Sequence, residues 1–476
     1  MKRYINIIGL IGVLLLPVSC DFLNPTENVE NPNLTVDAVL GTPNPTAGWK
    51  VGTERELAIV YNGLVTIAEI GSDNYVNTET FYNQQFDKLN ISYQDADVNT
   101  LQFRIADLRE SAIKGMEIII PVDEDATDAD MAEFLFYKGW AELLAGEYFD
   151  FLPLEGNGEA LSSEANISAA IVDFQQAETL VPNSVGYKLA LARAYYALGD
   201  KTNAVLKANE AITADGSFLR TIEYDAVAPN GPTNTLQNAL FDRGGFDDLQ
   251  PLPRLDFLDP KYYAPSGTEE TPIPLQKIEE AHLIIAEAMI SDGNIDDAKT
   301  VMNNIIGLVA TREIATFSDA VEGRTHDNPG SRPDTATVVV RSSIDDEFKD
   351  GLVLSRQAGN VSIPIVSGTS ITASDIAAVS TEDEALELLY LMRQEIFISE
   401  GRRFVDLGLK IPVSEVEFLS NPLIIEEQTS VTLPSFVPKD MDEINYDANT
   451  GQCTIKYNLN KILVSNKTSK DVLPFY

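Results

Sequence analysis

The chain has 476 residues, with 34 Lys plus Arg against 73 Asp plus Glu, a formal net charge of −39 at pH 7. Nucleic acid is excluded as a partner, because neutralising phosphates needs clusters of Lys and Arg that this sequence lacks. A hydrophobic fraction of 44% supports a sizeable core, while two cysteines and two histidines leave neither a disulfide framework nor a Cys- or His-rich metal centre, and no cofactor motif is present.

The N-terminus carries the first signal. Met1-Lys2-Arg3 is positively charged, Ile5 to Leu16 is apolar, and Pro17-Val18-Ser19-Cys20 offers a small-residue cleavage site. Residues 1–19 are therefore predicted to be a secretory signal peptide, too short to span a bilayer. A cysteine directly after the apolar run fits a bacterial lipobox, in which Cys20 becomes the lipidated N-terminus. Such an acidic chain cannot be held to an anionic membrane by its own charge, so acyl chains supply the attachment. Residues 20–47, rich in Asn, Pro and Thr, are expected to form a tether.

From Gly48 to Ile70 apolar residues recur at three- and four-residue spacing (Leu57, Val60, Tyr61, Leu64, Ile67, Ala68), which predicts a helix ended by Gly71. Tyr75 to Asp97 has no period, and Val98 to Ile120 is helical again. Asp123 to Asp130 has the acidity of a calcium loop, but its sixth position is Asp128 and its twelfth Phe134, so an EF-hand is rejected. These acids complement the start of a helix over Met131 to Tyr148, capped by Thr127 or Asp128. Of the histidines, His282 falls in a helical stretch and His326 in a polar loop, without a ligand or base role.

An internal repeat follows. Ala194 and Ala288 each open an Ala-x4-Gly-x4-Ala pattern, through Gly199 to Ala204 and through Gly293 to Ala298, and Ala141-x4-Gly146 repeats its first half. Small residues let antiparallel helices approach, and Gly ends the first helix in a left-handed conformation. The segment from Gly186 to Asp215 resembles a tetratricopeptide repeat. Residues 218–274 are read as a long, functional insertion, and residues 311–380 as short strands and loops around Thr337 to Arg341 and Gly351 to Val366. Thr381 to Leu407 is helical, and Cys453 to Val464 is expected to be extended.

Three stretches then combine. Cys20-Asp21-Phe22-Leu23-Asn24-Pro25 resembles the mature start of SusD/RagB-type outer-membrane lipoproteins. The helix from Ile278 to Ala288, with the turn Asp292-Gly293-Asn294, is similar to a helix and turn of that family. The run Arg393-Gln394-Glu395, Glu400-Gly401-Arg402-Arg403-Phe404 and Asp406-Leu407 resembles its C-terminal signature. The sequence departs from the family pattern at Gly408-Leu409 and in its closing tail. The resemblance implies a mainly α fold with tetratricopeptide-like hairpins near residues 131–215 and 275–310. Residues 48–410 would form the body, with loop-rich insertions at 218–274 and 311–380, and residues 411–476 a loop-rich tail packed on it. It further implies a cell-surface, nutrient-binding, non-enzymatic lipoprotein, most often for glycans, partnered by a SusC-like TonB-dependent transporter. Within the signature, Glu395 and Glu400 are expected to pair locally with Arg393, Arg402 or Arg403, with Gly401 at a turn and Phe404 packed behind it.

No nucleophile elbow, zinc-protease, P-loop or dinucleotide motif occurs. A glycosidase needs only two suitably spaced carboxylates, which this many acids could supply by chance. Sugar recognition uses aromatic faces ringed by amides, carboxylates or guanidinium groups. Two segments have that composition, and their residues are the expected ligand contacts: Asp73, Asn74, Tyr75, Asn77, Phe81 and Tyr82 after the first helix, and Arg254, Tyr262 and Tyr263 in the insertion. Trp49 and Trp140 are assigned to the core. A tetratricopeptide scaffold that binds only protein, and a peptide-binding member of the same family, are the alternatives to glycan capture.

Overall fold

A computed structural model describes residues 39–77, 83–225, 231–242, 249–262, 270–318, 333, 335–355, 359–469 and 472–476. Helix α1 spans Pro45–Ile70; Asn44 caps it by accepting from the Ala47 amide at 3.1 Å, and proline at the first position has no N–H to leave unpaired. Its apolar stripe is buried as the spacing requires, and Trp49, also buried, donates from its indole to the Ser111 carbonyl at 2.8 Å. Helix α2, Ala96–Lys114, runs on through a π turn at Gly115–Ile119. Helix α3, Asp128–Tyr148, begins at a capping box in which Thr127 and Asp130 satisfy each other's backbone N–H. Trp140 is fully buried on it.

A two-stranded hairpin, β2 (Phe151–Pro153) with β3 (Ala160–Ser162), turns the chain into α4, Ser163–Leu180, which packs back along α3. Gly146 permits that approach, since a Cβ there would lie 2.4 Å from Ile167 Cγ1. Helices α5 (Val185–Ala197) and α6 (Lys201–Ala214) form the next hairpin, and α7 (Glu279–Ser291) and α8 (Ile295–Val309) the one after. The turn glycines Gly199 and Gly293 take φ of 70° and 76°. The small residues do what their spacing implies: Ala192, Ala194, Ala204, Ala208, Ala211, Ala286 and Ala298 are all inaccessible to solvent.

The α5–α6 and α7–α8 hairpins are far apart in sequence yet share an apolar layer, in which Leu189, Ala204 and Ala211 meet Ala281 and Ile284. The segment between them is closed at its base by antiparallel pairing of β4 (Leu219–Ile222) with β6 (Ile273–Lys277), which delivers α7 beside α6. Within it β5, Leu249–Pro251, pairs with β1, Tyr75–Asn77. Further on, β7 (Ile314–Ser318) pairs with β9 (Asn360–Pro364), and β8 (Val339–Arg341) lies parallel to β11 (Gln452–Ile455), itself paired with β10 (Ile444–Asp447). Helix α9, Glu382–Ile396, and the short α10, Arg402–Asp406, meet at a corner, and α11, Glu415–Ser420, follows.

One expectation is corrected: the stretch from Cys453 to Val464 is extended only to Ile455. Residues Leu459–Ser465 are helix α12, because Asn458 accepts from the Lys461 amide as an N-cap and Leu459 and Leu463 bury at helical spacing. Among the described residues no helix is long and apolar enough to cross a membrane.

The two turn glycines separate strain from crowding. A Cβ at Gly293 meets nothing within 4 Å, whereas at Gly199 it would lie 2.7 Å from the Pro474 carbonyl oxygen. Gly293→Ala is expected to cost about 1–2 kcal/mol through the left-handed backbone alone, and Gly199→Ala distinctly more, compared by urea denaturation.

Candidate functional site

At the α9–α10 corner Gly401 adopts φ 73°, and the charged residues around it are buried. Apart from the Arg393–Asp406 pair, their partners are remote in sequence. Arg403 grips Asp73 with two nitrogens, Nη2 lying 2.9 Å from Oδ2, and donates through Nη1 to Asn460 at 2.9 Å. Arg393 donates to both oxygens of Asp406 at 2.9 Å, and Arg402 lies 2.7 Å from Glu280. Glu400 receives Lys261 and Lys277, both at 2.5 Å; Lys277 also donates to the Ile396 carbonyl, and burial draws its ammonium down to about 8. Glu395 accepts from the Ser370 amide at 2.8 Å, from Thr369 Oγ1 at 2.8 Å and from Arg254 Nη2 at 3.3 Å.

This network corrects the expected local pairing of Glu395 and Glu400 with the signature arginines. Glu395 instead meets Arg254 and the 369–370 loop, and Glu400 meets Lys261 and Lys277, because these buried groups need their charge satisfied where the fold brings them. The turn at Gly401 and the burial of Phe404, stacked on Tyr148 at 6.3 Å, are as expected.

The same network holds residues expected to contact ligand. Asp73 binds Arg403; Asn74 donates to Glu69 at 2.8 Å and accepts from Gln394 at 3.1 Å. The rings of Tyr75 and Tyr262 are fully buried, their hydroxyls meeting Ser399 Oγ at 2.5 Å and the Ser399 carbonyl at 2.7 Å. A buried face cannot stack on a sugar, so Asp73, Asn74, Tyr75 and Tyr262 are interior residues here. The reason lies in the signature, whose Arg403 needs a buried carboxylate, which Asp73 of this loop supplies. Asn77 is half-buried on β1, its side-chain nitrogen and oxygen without a hydrogen-bond partner among the described residues. Arg254 lies at the edge of a cleft of about 420 Å³ that Ser342, Asp346, Lys349 and Asn458 also line, and donates to Ser342 Oγ at 3.1 Å. Phe81, Tyr82 and Tyr263 fall outside the described residues, as do Cys20 and His326. His282 is half-buried on α7, its pKa lowered by burial.

A larger cleft, of about 550 Å³, opens between α1, α3 and the β4–β6 pair, lined by Glu54, Arg55, Leu57, Tyr137, Arg220 and Tyr224 among others. Arg220 lies 4.4 Å over the Phe136 ring, pairs with Glu133 and donates to the Tyr137 hydroxyl at 3.2 Å; that hydroxyl donates to Glu54 at 3.0 Å. The relay fixes donors and acceptors beside the apolar surfaces of Leu57, Ile222 and Leu275, a lining suited to a polyol with one apolar face. Sequence reasoning missed these residues, because Glu54 and Arg220 belong to no motif and meet only through the β4–β6 pairing.

No family model and no curated protein matches the chain. Solved structures do. A SusD superfamily protein from Bacteroides vulgatus is similar with a TM-score of 0.53 at 14% identity, over 81% of this chain and 97% of that one. A SusD-like protein from Bacteroides fragilis gives 0.53 at 11%, over 78% and 87%, and a SusD superfamily protein from Parabacteroides distasonis 0.52 at 11%, over 80% and 98%. The chain has the SusD-like fold.

Within that SusD-like fold the buried corner yields two measurable consequences. Asp73→Ala leaves the Arg403 guanidinium buried without its carboxylate and is expected to cost about 3–5 kcal/mol in urea denaturation. Burial also lifts Glu69, which accepts from the Gly401 amide at 2.7 Å, from 4.5 to about 7. Between those values the native state holds a proton that the unfolded chain has released, so this group's contribution to stability declines as pH rises from about 4.5 through about 7. Glu69→Gln keeps an acceptor for Gly401 without that titration; relative to wild type it is expected to gain roughly 1–3 kcal/mol between about pH 5 and about pH 8.

Proposed function

We propose that this protein is a carbohydrate-binding lipoprotein that captures an oligosaccharide without turning it over. In this reading it is anchored through Cys20 to the outer membrane, facing outward, and delivers its ligand to a SusC-like TonB-dependent transporter. The observation that carries the reading is the SusD-like fold, which extends over about four-fifths of the chain, in a sequence whose start resembles that of SusD/RagB-type lipoproteins. The cleft between α1 and the β4–β6 pair supplies the recognition chemistry. Glu54, Glu223 and Asp225 accept hydroxyl protons, Arg55 and Arg220 donate, and Leu57 and Leu275 meet the apolar C–H face. Arg254, at the second cleft, is a further ligand contact in this proposal, together with Asn77, Phe81, Tyr82 and Tyr263.

Calorimetric titration of the purified protein with a panel of oligosaccharides tests the reading. One saccharide class is expected to bind, with its concentration unchanged over the incubation, and Glu54→Ala and Glu223→Ala are each expected to weaken it about tenfold. Binding of peptides alone in the same cleft would favour the peptide-binding alternative, and association with the transporter without any small ligand would favour the scaffold. Cys20→Ala is expected to release a folded protein from the membrane fraction.

A further inference from the structure

The cleft between α1, α3 and the β4–β6 pair carries a charge pattern as well as a shape. Three carboxylates line it, on Glu54, Glu223 and Asp225, against two guanidinium groups, on Arg55 and Arg220. Each guanidinium also has a carboxylate beside it that is not part of the lining. Arg55 Nη1 lies 3.7 Å from Glu56, on a side chain 40% exposed to solvent, and Arg220 Nη2 is ion-paired with Glu133. With these partners included, five carboxylates stand against two guanidinium groups, in a chain whose net charge is −39. The local field is negative.

The Arg220 pair is built into the fold. The guanidinium carbon lies 4.4 Å from the centre of the Phe136 ring and 5.7 Å from that of Tyr137. Glu133, on α3, accepts from Arg220 through Oε1 and from the Tyr187 hydroxyl of α5 through Oε2 at 2.8 Å, and its side chain is 20% exposed. A guanidinium held in this way keeps N–H groups for a sugar hydroxyl, an acceptor that carries no charge. Its positive charge, however, is already met at contact by Glu133, which leaves little to attract a carboxylate or sulfate. The acids of the lining do the reverse. Glu54 accepts from the Tyr137 hydroxyl at 3.0 Å and Glu223 from the Thr221 hydroxyl at 2.7 Å, contacts with neutral donors that leave both charges in place to repel an anion.

We propose that this cleft selects saccharides without anionic groups, and that Glu133, which does not line it, sets the selectivity by holding and neutralising Arg220. The inference rests on the reading of this cleft as the saccharide site. Discrimination here works through repulsion of the wrong ligand rather than through an extra contact to the right one. Glu133 is thus a positioning residue, and without its charge Arg220 becomes available to pair with a uronate or sulfate.

Matched sugars provide the test. Oligosaccharides of glucose, galactose and mannose, each as the neutral sugar and with its primary hydroxyls oxidised to carboxylates, are titrated by calorimetry into the full chain at low and at high salt. The oxidised form of a sugar that binds is expected to bind at least about tenfold more weakly than its neutral parent at low salt, and the ratio to narrow as salt screens the walls. Glu133→Gln keeps acceptors for Arg220 and Tyr187 but removes the charge, and is expected to cut that ratio about fivefold, whereas Glu133→Asp returns it toward wild type. Glu223→Gln, at an exposed position, is expected to narrow the ratio as well and covers the case in which thermal unfolding shows the Glu133 variants misfolded. An oxidised sugar that binds at least as tightly as its parent, a ratio that salt does not move, or one that folded Glu133→Gln leaves unchanged overturns the inference while the saccharide reading stands. Failure of every sugar to bind overturns that reading and the inference together.

Discussion

Removing Arg403 from water is the step on which the rest of this structure depends. A buried guanidinium is tolerated only where acceptors are already in place, and here two oxygens of Asp73 and one of Asn460 provide them. The same demand recurs around the α9–α10 corner, where Glu400 draws in Lys261 and Lys277, Glu395 draws in Arg254 and the 369–370 loop, and Arg402 lies against Glu280. Each partner comes from a different part of the chain. The loop after α1, the 249–262 segment, β6, α7 and α12 are thus held in one mutual arrangement by groups that cannot be left unpaired.

Two kinds of interior therefore coexist. The paired helices α5 to α8 meet through small residues, as in the layer of Ala204, Ala208 and Ala281. The corner is built of charges and amides. The helical pairs set the distance between elements, and the corner sets which loops reach which face. One cleft opens where α1 and α3 face the β4–β6 pair, the other where α9 faces Arg254 and the 340–352 segment.

The tyrosines and carboxylates after α1 illustrate how composition misleads. Aromatic rings beside Asn and Asp have the makeup of a sugar platform, but the same groups satisfy buried arginines. Tyr75 and Tyr262 spend their hydroxyls on Ser399, whose own φ is 64° at the corner. Nothing in the linear spacing distinguishes the two uses, since the deciding partner of Asp73 lies 330 positions away. By contrast Glu54 and Arg220 carry no pattern and become neighbours of one cleft only when β4 pairs with β6.

What the sequence determined by itself is the set of local structures. The α1 stripe, the Thr127 cap, the Gly199 and Gly293 turns and the alanine contacts all follow from periodicity and backbone preference, which act over a few residues. Tertiary structure alone decided the remote partners of Glu395, Glu400, Arg402 and Arg403 and the composition of the clefts. The physical reason is range: helix propensity and capping are settled within a turn, whereas desolvation of a charge is settled by whichever distant segment brings the complementary group.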